Sequence, residues 1–275
     1  MTDRPPLLDV IREHYDRLSA LYSALWGEHI HHGYWEDHES PAVAQAQLVA
    51  RLADRAEVPH GARVLDVGCG LGGSALWLAR HRDCSVTGIT ISPVQARMAA
   101  ERARAQNLTG RVHFLLADAN HLELAPESFD VVWVIECSEH LSDKARFLAS
   151  CARVLKPGGR LALCAWLAAD APSPEQTRLI EEVCRGMLCP SLGSLRDYIR
   201  WMETGGLDAI EAEDITGRVE RTWTHCTAIV ARPEVKLLLR FMDARTRDFV
   251  QAFGAIQRAY AVGAMAYGMF TARKT

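Results

Sequence analysis

The amino-acid sequence predicts an α/β protein: a doubly wound, mostly parallel sheet with helices on both faces. Three observations predict it. Short valine-rich runs alternate with segments of helical apolar spacing between residues 63 and 167. The runs are apolar almost throughout, as strands covered on both faces must be. The first run is followed by Gly68, Gly70 and Gly73 in "VLDVGCGLGGSALWLAR" (64–80), which satisfies G-x-G-x-x-G between a strand and a helix.

The elements follow in order. Residues 7–26 and 42–58 carry apolar side chains at helical spacing, and "ESP" at 39–41 supplies a start for the second helix. "RVLDV" (63–67) reads as a strand, 73–82 as a helix, "CSVTGIT" (84–90) as a strand and 92–106 as a helix. "RVHFLLA" (111–117) and "FDVVWVI" (129–135) are strands, 143–155 a helix and "GRLALCAWL" (159–167) a strand. The rhythm then changes: helices over 173–204, a strand in "LDAIEAEDIT", a helix over 222–260 and a last strand in "GAMAYGMFTAR". Two late strands split by a long helix predict an antiparallel edge, giving seven strands with the last antiparallel. The expected organisation is an N-terminal helical lid over 1–60, a core over 61–167, and roof helices with the last two strands over 168–275.

Composition narrows the class. With 49% hydrophobic residues the 275-residue chain can bury a large core, and it reads as one domain with an insertion. A net charge of −3 from mixed-sign residues gives no electrostatic case for nucleic acid. The stretch "MTDRPPLLDVIREHYDRL" has no apolar leader core, and no apolar run reaches membrane-spanning length, so a cytoplasmic protein is expected. Eight cysteines without a C-x-x-C pair, several inside apolar runs, read as reduced buried thiols rather than disulfides or a zinc site.

The glycine turn is the expected ligand site, because doubly wound sheets bind ligands beyond the carboxyl ends of their strands. Asp66 ends the first strand where a dinucleotide's pyrophosphate would sit, and a carboxylate there repels that dianion. The same carboxylate suits a ligand bearing an amino cation. On the second strand a nicotinamide dinucleotide wants an acid for the ribose, whereas "GITISPVQ" offers neutral Thr90 and Gln95, with Ser92 as helix cap and Pro93 behind it. At the third strand's tip, Asp118 can accept from an exocyclic amine, and Ala119 leaves room for a flat ring.

"VLDVGCGLGG", "GITISPVQ", "LLADA", "FDVVWVIECSEHLSDKARFL" and "ARVLKPGGRLAL" together resemble the successive motifs of class I S-adenosylmethionine-dependent methyltransferases. "LWGEHIHHGYWE" with "GLGGSALWLA", "ITISPVQ" and "ECSEHLSDKARF" is similar to the γ-tocopherol methyltransferases and related small-molecule methyltransferases, to about residue 167. The resemblance implies a Rossmann-like fold with S-adenosyl-L-methionine as cofactor. It places Asp66, Gly68, Cys69 and Gly70 at the methionine end, Thr90 and Gln95 on the ribose, and Asp118 and Ala119 at the adenine. Glu136 is implied at the methionine side of the cofactor and the reacting centre, with Tyr15 and His31 in the lid that closes over the cofactor.

Methyl transfer from a sulfonium is an in-line displacement, so alignment, exclusion of water and a competent nucleophile are what a protein must supply. A phenol gains from a general base. His140, just past the fourth strand, is the first candidate, with Glu139 orienting it or acting with it; a helix-start role without catalysis is the alternative, as is transfer by proximity alone. The cluster His29, His31, His32 and nearby His38 lacks a matching carboxylate or cysteine pattern, so no metal is expected; lid and cofactor contacts are expected of it instead, with structural packing as the alternative. Trp26, Tyr34 and Trp35 are candidate walls or core. The region 167–260, with Trp201, Trp223, His225, Phe241, Met242 and Phe253, is expected to set acceptor choice, His225 being a second candidate base.

The resulting expectation is methyl transfer to a small hydrophobic acceptor, first a phenolic or quinol-type oxygen, then an amine nitrogen, then carbon. A nicotinamide-dependent oxidoreductase and a non-catalytic cofactor binder are the readings from other classes. As partners, the expectation names the acceptor and no nucleic acid or membrane segment, in a monomer or homodimer.

Overall fold

The computed structural model describes residues 7–275; the first six residues, part of the stretch read for a leader, lie outside them. Its strands are β1 (Arg63–Val67), β2 (Ser85–Thr90), β3 (Val112–Leu116), β4 (Phe129–Ile135), β5 (Leu155–Ala168), β6 (Leu207–Asp214) and β7 (Met265–Lys274). They form one sheet in the order β3-β2-β1-β4-β5-β7-β6. The pairs β3–β2, β2–β1, β1–β4 and β4–β5 are parallel, while β7 runs antiparallel to both β5 and β6. The predicted class therefore holds, and the antiparallel last strand lies between β5 and β6.

Alternation along the strands builds two cores. Val131, Trp133 and Ile135 of β4 enter one, and Val132 and Val134 the other. The helices are α1 (Leu7–Trp26), α2 (Pro41–Arg55), α3 (Gly73–His81), α4 (Pro93–Ala105), α5 (Lys144–Val154), α6 (Pro174–Gly186) and α7 (Leu195–Thr204). After β6 come α8 (Thr216–Val219), α9 (Arg221–Ala231), α10 (Pro233–Leu239) and α11 (Ala244–Ala261). Ser92 caps α4 by accepting from the Gln95 amide at 3.0 Å, with Pro93 at the first helical position. Ser173 with Gln176, and Ser194 with Asp197, form capping boxes that start α6 and α7.

Three expectations are corrected. Residues 222–260 are not one helix: Pro233 cannot donate into a preceding turn and opens α10, and Asp243 opens α11 by accepting from Thr246 N at 2.8 Å. β5 begins at Leu155, because "LKPGG" leaves α5 already extended and Leu155 pairs with Phe129 ahead of a register shift. Of the helices after residue 167, α7 is not part of the roof; its Tyr198 and Met202 join the core on the α5 side of the sheet. α6, α9 and α11 pack together on the other side. No helix among the described residues is long and apolar enough to cross a membrane.

α1 crosses the carboxyl ends of the strands. Asp16 on it accepts from the Ser92 hydroxyl at 2.5 Å, and Arg102 of α4 donates to Ser23 at 2.8 Å.

Candidate active site

Strand order reverses between β1 and β4, and a cleft of about 940 Å³ opens at that point. Asp66 lies on its floor, 2% exposed. One carboxylate oxygen, Oδ2, is buried without a partner. Burial pushes the pKa of Asp66 up to about 7, against the pull of a hydrogen bond from the Ala75 amide. Gly68 and Gly70 follow with φ of +73° and +52°. A Cβ on Gly68 would meet Cys137 Sγ at 2.5 Å, whereas one on Gly70 would meet nothing within 4 Å and would stand in the cleft. Gly73 lets His29 and the Glu28 carbonyl approach the start of α3. Cys69 is buried along the same wall.

The next two strand tips complete this half. Thr90 donates to Gln95 Oε1 at 2.8 Å, and both line the cleft. That bond occupies the amide oxygen of Gln95 and leaves its nitrogen to a ligand. Asp118 Oδ1 accepts from the Asn120 amide and side chain at 2.9 and 2.8 Å, shaping the turn that brings Ala119 to the wall.

Glu136, the residue after β4, is in the left-handed region, φ +51°, where the chain leaves the strand. Its Oε1 accepts three hydrogen bonds, from His32 N at 2.7 Å, His32 Nδ1 at 2.9 Å and Tyr267 OH at 2.8 Å. Burial would raise its pKa, but the facing His32, its hydrogen bonds and His31 hold it down to about 2. His32 Nε2 accepts from Trp223 Nε1 at 2.7 Å, which assigns the ring proton to Nδ1. Glu136 is thus an ionised carboxylate braced from α9 and β7.

Residues 138–140 form a 3₁₀ turn that delivers two further side chains. Glu139 Oε1 accepts from Trp166 N at 2.6 Å while its Oε2 is buried unpaired. Burial and the neighbouring Glu136 raise its pKa to about 8, so it is a neutral acid near pH 7. His140 Nδ1 donates to the Leu188 carbonyl at 3.2 Å, leaving Nε2 to accept from Tyr15 OH at 2.9 Å. Burial lowers the pKa of His140, so the ring is neutral; burial raises that of Tyr15, so its phenol keeps the proton.

A second cavity of about 1240 Å³ lies under the roof, walled by Leu18, Trp166, Trp223, Val235, Phe249 and Phe253 among others. Tyr15, Ile30, His31, Glu136 and His140 line both cavities. His31 itself bonds to His29 at 3.1 Å and to the His32 carbonyl at 2.7 Å.

All the sequence-predicted cofactor and catalytic residues lie on two adjoining cavities, but Glu139 does not orient His140 as expected: its bond goes to Trp166 N, and His140 is held by Leu188 and Tyr15. His225 does not lie there: it stacks on Trp35 at 4.7 Å, outside both cavities. Trp201 packs on Tyr198 beneath the sheet, Phe241 is exposed, and Tyr34 belongs to the core. Cys137 and Trp166 carry no signal of a site role in the sequence, and His32 is expected there only as one member of the histidine cluster. The signal for His32 was its place in "HIHHG", but sequence does not say which of three histidines faces the strand tips.

The donor set fits a nucleoside amino acid with a cationic amine: an unpaired buried carboxylate, a glycine wall and neutral ribose partners. A profile of the family described as "Methyltransferase domain" matches residues 65–163. The 27-O-demethylrifamycin SV methyltransferase of Amycolatopsis mediterranei (strain S699) is 35% identical over 273 residues, 98% of each chain. The chloroplastic tocopherol O-methyltransferase of Arabidopsis thaliana is 31% identical over 285 residues, covering 96% of this chain and 81% of that protein. Among solved structures, the (4+2)-cyclase SpnF superposes with a TM-score of 0.85 at 28% identity, over 98% of this chain and 96% of that one. Geranyl diphosphate C-methyltransferase from Streptomyces coelicolor A3(2), solved with S-adenosyl-L-homocysteine, shares the fold at 19% identity, with a TM-score of 0.79 over 100% of both chains. Kinship along nearly its whole length, together with a first-strand tip built for a cation, makes this chain a member of the S-adenosyl-L-methionine-dependent methyltransferases, acting on small molecules.

Proposed function

We propose that the protein methylates a hydroxyl oxygen on a phenolic or quinol-type ring of a hydrophobic small molecule. One observation carries the reading: the apolar roof cavity meets the cofactor cleft at His140, whose Nε2 is the neutral, lone-pair end of the ring. When bound, S-adenosyl-L-methionine supplies an electrophilic methyl group on a sulfonium. Asp66 Oδ2 would hold its ammonium, Thr90 and Gln95 its ribose, and Asp118 with Ala119 its adenine.

The roof aromatics hold the acceptor's apolar body and keep water out, which strengthens every polar contact at the junction. His140 Nε2 takes the hydroxyl proton, directly or across the Tyr15 oxygen, as the oxygen–methyl bond forms. Tyr15 closes α1 over the junction. The rifamycin and tocopherol relatives are named for oxygen methylation, which supports the choice of atom. A second reading, methylation of an amine, draws on the ionised Glu136 at the same junction, which would attract a cationic acceptor.

Methyl-labelled cofactor incubated with a panel of phenols, hydroquinones and tertiary-amine precursors tests the proposal. Label on a phenolic oxygen is the expected result. Label confined to amines overturns the choice of oxygen, and no transfer to any acceptor overturns the assignment.

A further inference from the structure

The roof carries an outer surface that the site does not use. The inner side chains of α10, Val235 and Leu239, line the acceptor cavity. Its outer side presents Leu237 and Leu238 at 55% and 42% exposure, and the turn after it adds Phe241 at 82%. Phe241 is the most exposed large apolar side chain among the described residues. Lys236 lies within α10 beside that apolar face, while Arg232 precedes its first residue with extended backbone and Arg240 follows its last. All three are exposed and take no ion pair among the described residues.

The neighbouring charges are mostly neutralised. Arg245 pairs with Glu13 at 3.0 Å and Arg17 with Asp243 at 2.6 Å, while Glu234 sits in the first turn of α10. What remains is a cluster of apolar side chains flanked by three free cations, on a chain whose overall charge is −3. Any attraction of this face to an anionic surface therefore comes from these local cations and not from the overall charge.

We propose that α10 and the turn after it dock on an anionic lipid surface. Leu237, Leu238 and Phe241 enter the acyl boundary, and Arg232, Lys236 and Arg240 meet the headgroup charge. The proposal rests on reading the roof cavity as the acceptor's: one helix faces lipid with one side and the cavity with the other. A lipophilic acceptor then crosses only the thickness of α10, without entering water.

Co-sedimentation of the full chain with vesicles tests this, using phosphatidylcholine alone and phosphatidylcholine mixed with phosphatidylglycerol. Binding to the mixed vesicles is expected, about tenfold or more tighter than to phosphatidylcholine, with about fivefold lost per cation in Lys236→Gln and Arg240→Gln. Leu237→Gln/Phe241→Gln should lose binding to both compositions. Its unfolding midpoint and affinity for S-adenosylhomocysteine should stay at wild-type values, since neither side chain is buried or lines a cavity. Absence of vesicle binding overturns the proposal, as does binding undiminished by these substitutions. Self-association of the wild type in sedimentation velocity, abolished by Phe241→Gln, also overturns it by giving the face to a second copy. Vesicle binding without turnover of any hydroxylated acceptor would remove the functional reading and leave the docking standing.

Discussion

Asp66 shows how a single group can carry a binding site. Its carboxyl is buried with one oxygen unpaired and a pKa near 7, so the free protein holds much of it protonated just below neutrality. Pairing with an ammonium requires the ionised form, so cofactor affinity should rise with pH, by up to about tenfold per unit below 7, and level off above. Calorimetric titration of S-adenosylhomocysteine from pH 5.5 to 8.5 checks this. Asp66→Asn should weaken binding about 10- to 100-fold and flatten the profile. The folded-state pKa of Glu136 is depressed instead, to about 2. Its contribution to stability is present above the ordinary carboxylate range and lost as pH falls towards 2. His32→Ala would strip that buried charge of one of its three donors, the ring Nδ1, and should cost about 2–3 kcal/mol in denaturant unfolding; the main-chain donor and Tyr267 persist, so a loss below about 1 kcal/mol would mean the ring is dispensable. His140→Ala should lower kcat by about 10²–10⁴ with cofactor affinity unchanged, and unchanged kcat would remove it as base. Asp66, Thr90 and His140 were legible because strand tips are countable. His32 was not, since its partner lies 104 residues away and no spacing encodes that distance.

At the scale of elements, the turn between β1 and α3 depends on backbone more than on side chains. Gly68 combines a left-handed φ with contact against Cys137, so Gly68→Ala meets both strain and overlap. A loss of about 2–4 kcal/mol is expected, read from the shift in urea midpoint, with α3 disturbed first. β1, β2 and β4 were legible nearly to the residue, because a strand buried on both faces is a continuous apolar run bounded by polar turns, whereas the polar start of β5 at "LKPGG" hid its first residues. The roof was less so. Between 222 and 260 the apolar spacing runs on across Pro233 and Asp243, and periodicity alone hides the two breaks that turn one helix into α9, α10 and α11. α7 was misplaced for a related reason: amphipathic spacing tells which helix face is buried but not against which side of a sheet.

Taken whole, the molecule is a rigid sheet with a ligand floor at the strand tips and a covering built from two distant chain segments. α1 and the start of α11 meet through Arg17–Asp243 and Glu13–Arg245, exposed pairs of the kind worth little individually. Ligand binding should therefore contribute more to overall stability than these clasps do. S-adenosylhomocysteine at a hundred times its Kd should add about 2.7 kcal/mol and raise Tm by about 5–10 °C, while NAD should leave it unchanged. A shift with NAD alone would contradict the assignment of the cleft. β7 has a consequence for how the protein is made. It is synthesised after every other strand yet sits between β5 and β6, and β6 pairs with nothing else in the sheet. A nascent chain that has released everything up to α11 still shows the ribosome's surroundings an open edge on β5 and a β6 held against α7 without its strand partner. Its closing step is insertion of a keystone between two strands that meet only through it.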